Sequence, residues 1–370
     1  MLKVLLIAGA RPNFMKIAPL YREALKHSDI ECRLVHTGQH YDYEMSQTFF
    51  EDLEVPKPDF FLCAASGSHA VQTARIMIGF EKVCKKAKPD LVMVVGDVNS
   101  TLACSIAAKK LQVEVAHIEA GLRSFDPSMP EEINRMVTDA ITDRFFVTEQ
   151  SGVENLMREG KLKDRIHFVG HVMIDNLFFQ LNRIQNGYEP GRDLSGIKAA
   201  RDRYIFVTLH RPSNVDRKES LLEIAHALNT IAKTHPILFP VHPRTRQRLD
   251  QFRISLSPTI TQLPPLSFKE ALYLWKDASL VMTDSGGLQE ETTALGVPCV
   301  TIRENTERPV TIEMGTNILG GTSKDTILEA YGRSISKPKP HCPLPKWDGK
   351  ASERIWEIIL GMAVRRSGND

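Results

Sequence analysis

Three acids stand just beyond apolar runs in the first half of this 370-residue chain. They are Asp97 in Gly96-Asp97-Val98-Asn99-Ser100-Thr101, Glu119 in His117-Ile118-Glu119-Ala120-Gly121-Leu122-Arg123, and Glu131 in Pro130-Glu131-Glu132-Ile133-Asn134-Arg135. Each alone has an ordinary reading: Asp97 as a helix cap, Glu119 as the partner of Arg123, Glu131 as a first-turn acid favoured by the helix dipole. Brought together at one end of a sheet they would repel, and repulsion raises the pKa of at least one toward the range of acid/base work. In the second half, Val207-Thr208-Leu209-His210-Arg211 puts a histidine and an arginine at another strand end, on the side expected to face those acids.

The second chemical feature is an anion cradle. In Thr283-Asp284-Ser285-Gly286-Gly287-Leu288-Gln289-Glu290-Glu291 a strand leads through Ser-Gly-Gly into a helix. Glycines there let a phosphate approach the free N–H groups of the helix start, and Glu291, one turn on, can accept the two hydroxyls of a ribose. Arg303, Arg308 and His242 are further candidate phosphate or base contacts, because a guanidinium donates two parallel hydrogen bonds to such a group. The glycine turn Gly9-Ala10-Arg11-Pro12-Asn13-Phe14-Met15-Lys16 adds Arg11 and Lys16 as possible diphosphate ligands. It is not the GxGxxG dinucleotide fingerprint, and no GxxxxGK[ST] loop occurs. Six scattered cysteines form no CxxC pair, so no zinc framework is expected. No metal and no redox cofactor is implied.

Apolar runs at 4–8, 32–36, 91–95, 113–118, 145–148 and 166–169 alternate with helical patterns such as 15–26, 70–86 and 102–111. The order restarts with runs at 205–209, 237–241, 259–263, 280–283 and 298–302, with helices over 220–234 and 288–295. Such alternation predicts parallel sheets covered on both faces. The expected fold is α/β: two Rossmann-like doubly wound domains facing each other across a cleft that holds the site. The first domain is expected over 1–171, joined by a last helix at about 352–370, and the second over 172–351. The segment 187–203, rich in Gly, Pro and charge, is expected to be a loop.

Composition narrows the class. Hydrophobic residues at 42% and charged residues at 25% are ordinary globular values, which exclude disorder and coiled coil. A formal net charge of +2 gives no reason to expect nucleic-acid binding. With no run of about 18 apolar residues and no signal-like start, the expectation is a soluble cytoplasmic protein without membrane insertion.

The set GARPNFMKIAPL, TGQH, GDVNST, HIEAGLRS, PEEINR, LHRPSN, VHPR, TDSGGLQEE and TERP resembles the non-hydrolysing UDP-N-acetylglucosamine 2-epimerases, in order and spacing, from residue 1 to about 310. The resemblance implies the GT-B architecture, no cofactor, a UDP-sugar substrate and a homodimer. It implies catalytic roles for Asp97, Glu119, Glu131 and His210. UDP-sugar contacts are implied for Arg11, Lys16, His242, Ser285, Gly286, Gly287, Glu291 and Arg308. Ala10 and Asn13 stand where the family's first motif has Thr and Glu, and Pro212-Ser213 replaces a charged pair. Gln39, His40, Arg75 and Arg211 stand where a second, activating UDP-N-acetylglucosamine can bind, but these changes predict no strict dependence on it. The C2 proton of such a sugar is not next to a carbonyl. The chemistry therefore expected is elimination of UDP to a glycal and re-addition, in a route to cell-surface polysaccharide precursors. A hydrolysing epimerase, a GT-B glycosyltransferase and a non-catalytic UDP-sugar sensor are the alternatives.

Overall fold

β1 (Leu2–Ala8) is buried from Val4 onward, as a strand covered on both faces must be. Its neighbours follow in a computed structural model that describes residues 1–38, 50, 53–64, 67–190, 193–340 and 342–367. They are β2 (Ile30–His36), β3 (Phe60–Phe61), β4 (Leu91–Val95), β5 (Glu114–Ile118), β6 (Arg144–Val147) and β7 (Ile166–Phe168). All pair in parallel, in the order β3-β2-β1-β4-β5-β6-β7. A second parallel sheet contains β8 (Ile205–Thr208), β9 (Ile237–Pro240), β10 (Ile260–Leu263), β11 (Leu280–Thr283), β12 (Cys299–Thr301) and β13 (Asn317–Leu319). Its order is β10-β9-β8-β11-β12-β13. The fold class is therefore α/β, with two Rossmann-like doubly wound sheets. Strand order reverses between β1 and β4 and again between β8 and β11, the switch points beyond whose carboxyl ends ligands of such sheets bind.

Met1–Asn176 with Pro345–Asp370 forms one compact unit, and Leu177–Leu344 forms the other. The last helix, Ala351–Ser367, belongs to the first unit. It buries Ile355, Trp356 and Ile359 among Phe14, Ile17 and Leu20, and Trp356 Nε1 donates to Leu20 O at 2.8 Å. Asp175 caps that helix, accepting from Ala351 N (3.0 Å) and Ser352 N (2.6 Å). The segment 187–203 is not wholly a loop as its composition suggests. Leu194–Ala199 is helical because Asp193 Oδ1 accepts from Gly196 N at 3.0 Å and Leu194 is buried. Among the described residues no helix is long and apolar enough to cross a membrane.

Candidate active site

In the first unit, Lys16 meets Glu119 in a close ion pair at the carboxyl ends of β1 and β5, with side-chain exposures of 12% and 2%. Lys16 lies one turn into the helix Arg11–Ala24, which Arg11 opens. Asn13 fixes that turn: its Oδ1 accepts from Gly9 N (3.2 Å) and Ala10 N (3.0 Å), and its Nδ2 donates to Val95 O at 3.2 Å. Asn13 thus ties the first turn to the end of β4. Gly96 has φ +68, and a Cβ there would stand 3.3 Å from both Lys16 Nζ and Glu119 Oε2. A side chain at 96 would crowd the pair. Glu119 itself sits at φ 68, a conformation a non-glycine residue rarely adopts. Its N–H is fixed by Phe146 O at 3.0 Å, and His171 Nε2 stands 3.7 Å from Oε1.

Asp97 is paired too, accepting from Arg135 Nη1 at 2.6 Å. Arg135 also donates from Nε to Glu132 at 3.0 Å. Burial would raise the Glu132 carboxyl, but the N–H groups of Ser124 and Phe125 and the Arg135 charge outweigh it and hold it low. Asp97 and Glu119 thus each have a cation beside them. Glu131 is exposed in the first turn of the helix Pro130–Ile141.

Behind these groups lies a buried network that sequence spacing did not reveal. His117 Nδ1 meets Asp139 Oδ1 at 2.7 Å and Nε2 meets Gly96 O at 2.9 Å. Asp139 Oδ2 accepts from Gly121 N at 3.1 Å and pairs with Arg123 Nη2 at 2.8 Å. Arg123, the partner Glu119 has on its ordinary structural reading, bridges Asp139 and Glu159 instead. Burial would raise Asp139, but His117 and Arg123 outweigh it and keep it below the usual range. The network joins the turn after β4, through the Gly96 carbonyl, to the turn after β5.

In the second unit, His210, Arg211, His242 and the Ser-Gly-Gly turn gather at the carboxyl ends of β8, β9 and β11. The rings of His210 and His242 are 6.0 Å apart. Arg244 N donates to His242 Nδ1 at 3.2 Å, so Nε2 carries the proton and can donate to an anion. Burial, with His210 nearby, lowers the His242 pKa. Ser285 caps the helix Gly286–Leu295, and a Cβ on Gly286 would meet nothing nearer than Arg211 Nη2 at 3.8 Å, so the approach to the helix start is open. Glu307 is held to about 2, chiefly by hydrogen bonds from Arg303, which donates to both its oxygens at 2.9 and 2.7 Å. Arg211 stands 3.8 Å from Glu307. Arg308 is engaged by Glu290 at 2.6 Å. Of the other residues expected in an activator site, Gln39 and His40 lie outside the described residues. Arg75 is on the helix His69–Ala87 of the first unit, its Nη1 3.4 Å from Ala64 O.

Burial, reinforced by Glu290, pushes Glu291 up to about 8. The folded chain therefore keeps a proton there that the unfolded chain releases near 4.5. Stability from this group is complete at acid pH and is lost as pH rises toward 8, at about 1.4 kcal/mol per unit of displacement. Glu291→Gln is expected to flatten the fall in thermal midpoint between pH 5 and 8.5 and to raise the midpoint at pH 8.5; an unchanged slope would count against a protonated Glu291.

The family model described as UDP-N-acetylglucosamine 2-epimerase matches residues 22–360. The UDP-N-acetylglucosamine 2-epimerase of Methanocaldococcus jannaschii is 41% identical over 97% of this chain and 99% of its own length. The UDP-2,3-diacetamido-2,3-dideoxy-D-glucuronate 2-epimerase of Pseudomonas aeruginosa is 40% identical over 97% and 99%. The crystal structure of the Methanocaldococcus jannaschii UDP-GlcNAc 2-epimerase in complex with UDP-GlcNAc and UDP superposes with a TM-score of 0.82 at 40% identity, covering 97% of this chain and 99% of that one.

Proposed function

The chain belongs to the UDP-N-acetylglucosamine 2-epimerase family, and we propose that it interconverts UDP-N-acetylglucosamine and UDP-N-acetylmannosamine without net hydrolysis. Glu119 carries this reading: a buried carboxylate in a strained turn after β5, reaching Lys16 beyond the end of β1 and standing beside His171. A base removes the C2 proton while the C1–O bond breaks and its electron pair leaves with UDP. The product is a glycal. A proton then reaches C2 from the other face as a diphosphate oxygen re-forms the bond at C1. Electrons balance with no oxidant or reductant. Asp97, Glu119 and Glu131 handle the proton and the developing charge. His210, Arg11, Lys16, His242 and the Ser285–Gly287 turn serve the diphosphate, and Glu291 serves the ribose. Rates of this kind depend on a group positioned at the proton, worth about 10²–10⁴-fold.

The reaction run in D₂O is the test. Deuterium is expected at C2 of both epimers, with no net UDP release; absence of C2 deuterium would sink the proposal. The Pseudomonas aeruginosa relative supports a second reading of the sugar, a 3-acetamido uronic acid undergoing the same reaction. Parallel incubations with each nucleotide sugar decide between them.

A further inference from the structure

The second unit contains a buried carboxylate that none of the roles above uses. Asp284, at the end of β11, has a side chain 0% exposed. Its oxygens face donors only. His210 N approaches Oδ1 at 3.2 Å and Oδ2 at 3.0 Å, Arg211 N approaches Oδ2 at 2.9 Å, and Asn214 Nδ2 approaches Oδ2 at 3.3 Å. Backbone and amide N–H groups cannot accept, so the carboxylate accepts from each. Its remaining close partner is His210 Nδ1, 3.0 Å from Oδ1. Asn214 is itself anchored, donating to Ile302 O at 2.8 Å. The carboxylate is therefore fixed from several directions, while the His210 side chain is 44% exposed at its other end.

We infer that Asp284 is a positioning residue that holds His210 in the Nδ1–H tautomer, so that Nε2 is the ring atom presented to the substrate. Nδ1, opposite an oxygen committed to accepting, must carry the proton, and the neutral ring then keeps its lone pair on Nε2. Nε2 serves the departing diphosphate once it has taken up a proton, and the Asp284 carboxylate then compensates the charge on the ring, which an amide at 284 would not. The segment 209–214, which runs into the short helix Pro212–Val215, and the ring are set by one group. A histidine free to rotate or change tautomer would offer the right atom only part of the time. The kinetic consequence rests on the proposed epimerisation; the tautomer does not.

Two measurements test it. Nitrogen-15 spectra of histidine-labelled protein, recorded at a pH where the ring is neutral and assigned by loss of the signal in His210→Gln, are expected to show Nδ1 protonated and Nε2 bare. A wild-type Nε2–H tautomer overturns the inference whatever the enzyme's substrate. In Asp284→Asn the amide can donate to Nδ1, and the proton is expected to move to Nε2. Turnover of UDP-N-acetylglucosamine should then fall about 10²-fold or more, with KM within a few-fold of wild type. An Asp284→Asn protein that loses thermal stability but keeps the wild-type tautomer and kcat would show a merely structural clamp, and would overturn the inference. Should that variant not fold, the wild-type spectrum decides alone. A wild-type enzyme inactive on every UDP-sugar tried, yet showing the Nδ1–H tautomer, removes the reaction and leaves the positioning role supported.

Discussion

Glu119→Gln is expected to lower turnover about 10²–10⁴-fold while leaving the chain folded, the range for removal of a positioned acid or base. Glutamine keeps the length and shape of the side chain, and the turn depends on backbone groups that the substitution spares: Glu119 N and Ala120 N both donate to Phe146 O, at 3.0 and 3.2 Å. What is lost is the negative charge between Lys16 and His171. Asp97→Asn is expected to act in the same direction with a milder structural effect, because Arg135 retains Glu132. Initial rates and the C2 hydrogen exchange of each variant, with circular dichroism as the folding control, provide the check. If both variants kept near-native turnover, the acids would be structural and the proposed roles wrong.

The strands that carry these residues were legible because each is a continuous apolar run closed by a glycine or a polar residue: 91–95 before Gly96, 205–209 before His210, and 280–283 before Asp284. β3 and β13 were not legible. Two residues make no run, and β13 begins at Asn317, whose buried amide is satisfied by Gln289 and Thr311 rather than hidden by apolar neighbours. The helix Pro243–Phe252 was equally silent, since only Thr245 and Leu249 along it are buried, too few to set a 3.6-residue pattern. At the site, residue types were readable but pairings were not. Lys16 and Glu119 are 103 positions apart, Asp97 and Arg135 are 38 apart, and Arg123 chose Asp139 and Glu159 over the nearer Glu119. Ion pairs across a sheet depend on strand order, and periodicity says nothing of it. The same limit hid Asp284, whose partners lie 70 or more positions earlier, on the segment after β8.

Asp139→Asn is expected to destabilise the first unit by about 3–5 kcal/mol, because neutralising one member of a buried ion pair leaves its partner's charge uncompensated and without water. Asp139 and His117 are wholly buried, and Arg123 is nearly so. The carboxylate gathers His117, Arg123 and the Gly121 N–H. Arg123 retains Glu159, which is 38% exposed, so part of its charge stays compensated; His117 has no second anion among its hydrogen-bond partners, only the Gly96 carbonyl. The loss therefore falls on the link between the turns that carry Asp97 and Glu119. Gly121 cannot yield to make up for it: at φ +79, with a Cβ that would stand 2.4 Å from Gly152 O, its backbone is wedged against the neighbouring helix. Activity is expected to fall with stability, since Glu119 depends on that turn for its orientation. A double-mutant cycle with His117→Gln separates the contributions. Coupling of about 0.5–3 kcal/mol in chemical denaturation is expected for residues in one hydrogen-bonded network. Additivity of the two changes would mean that the pair does not tie the two turns together.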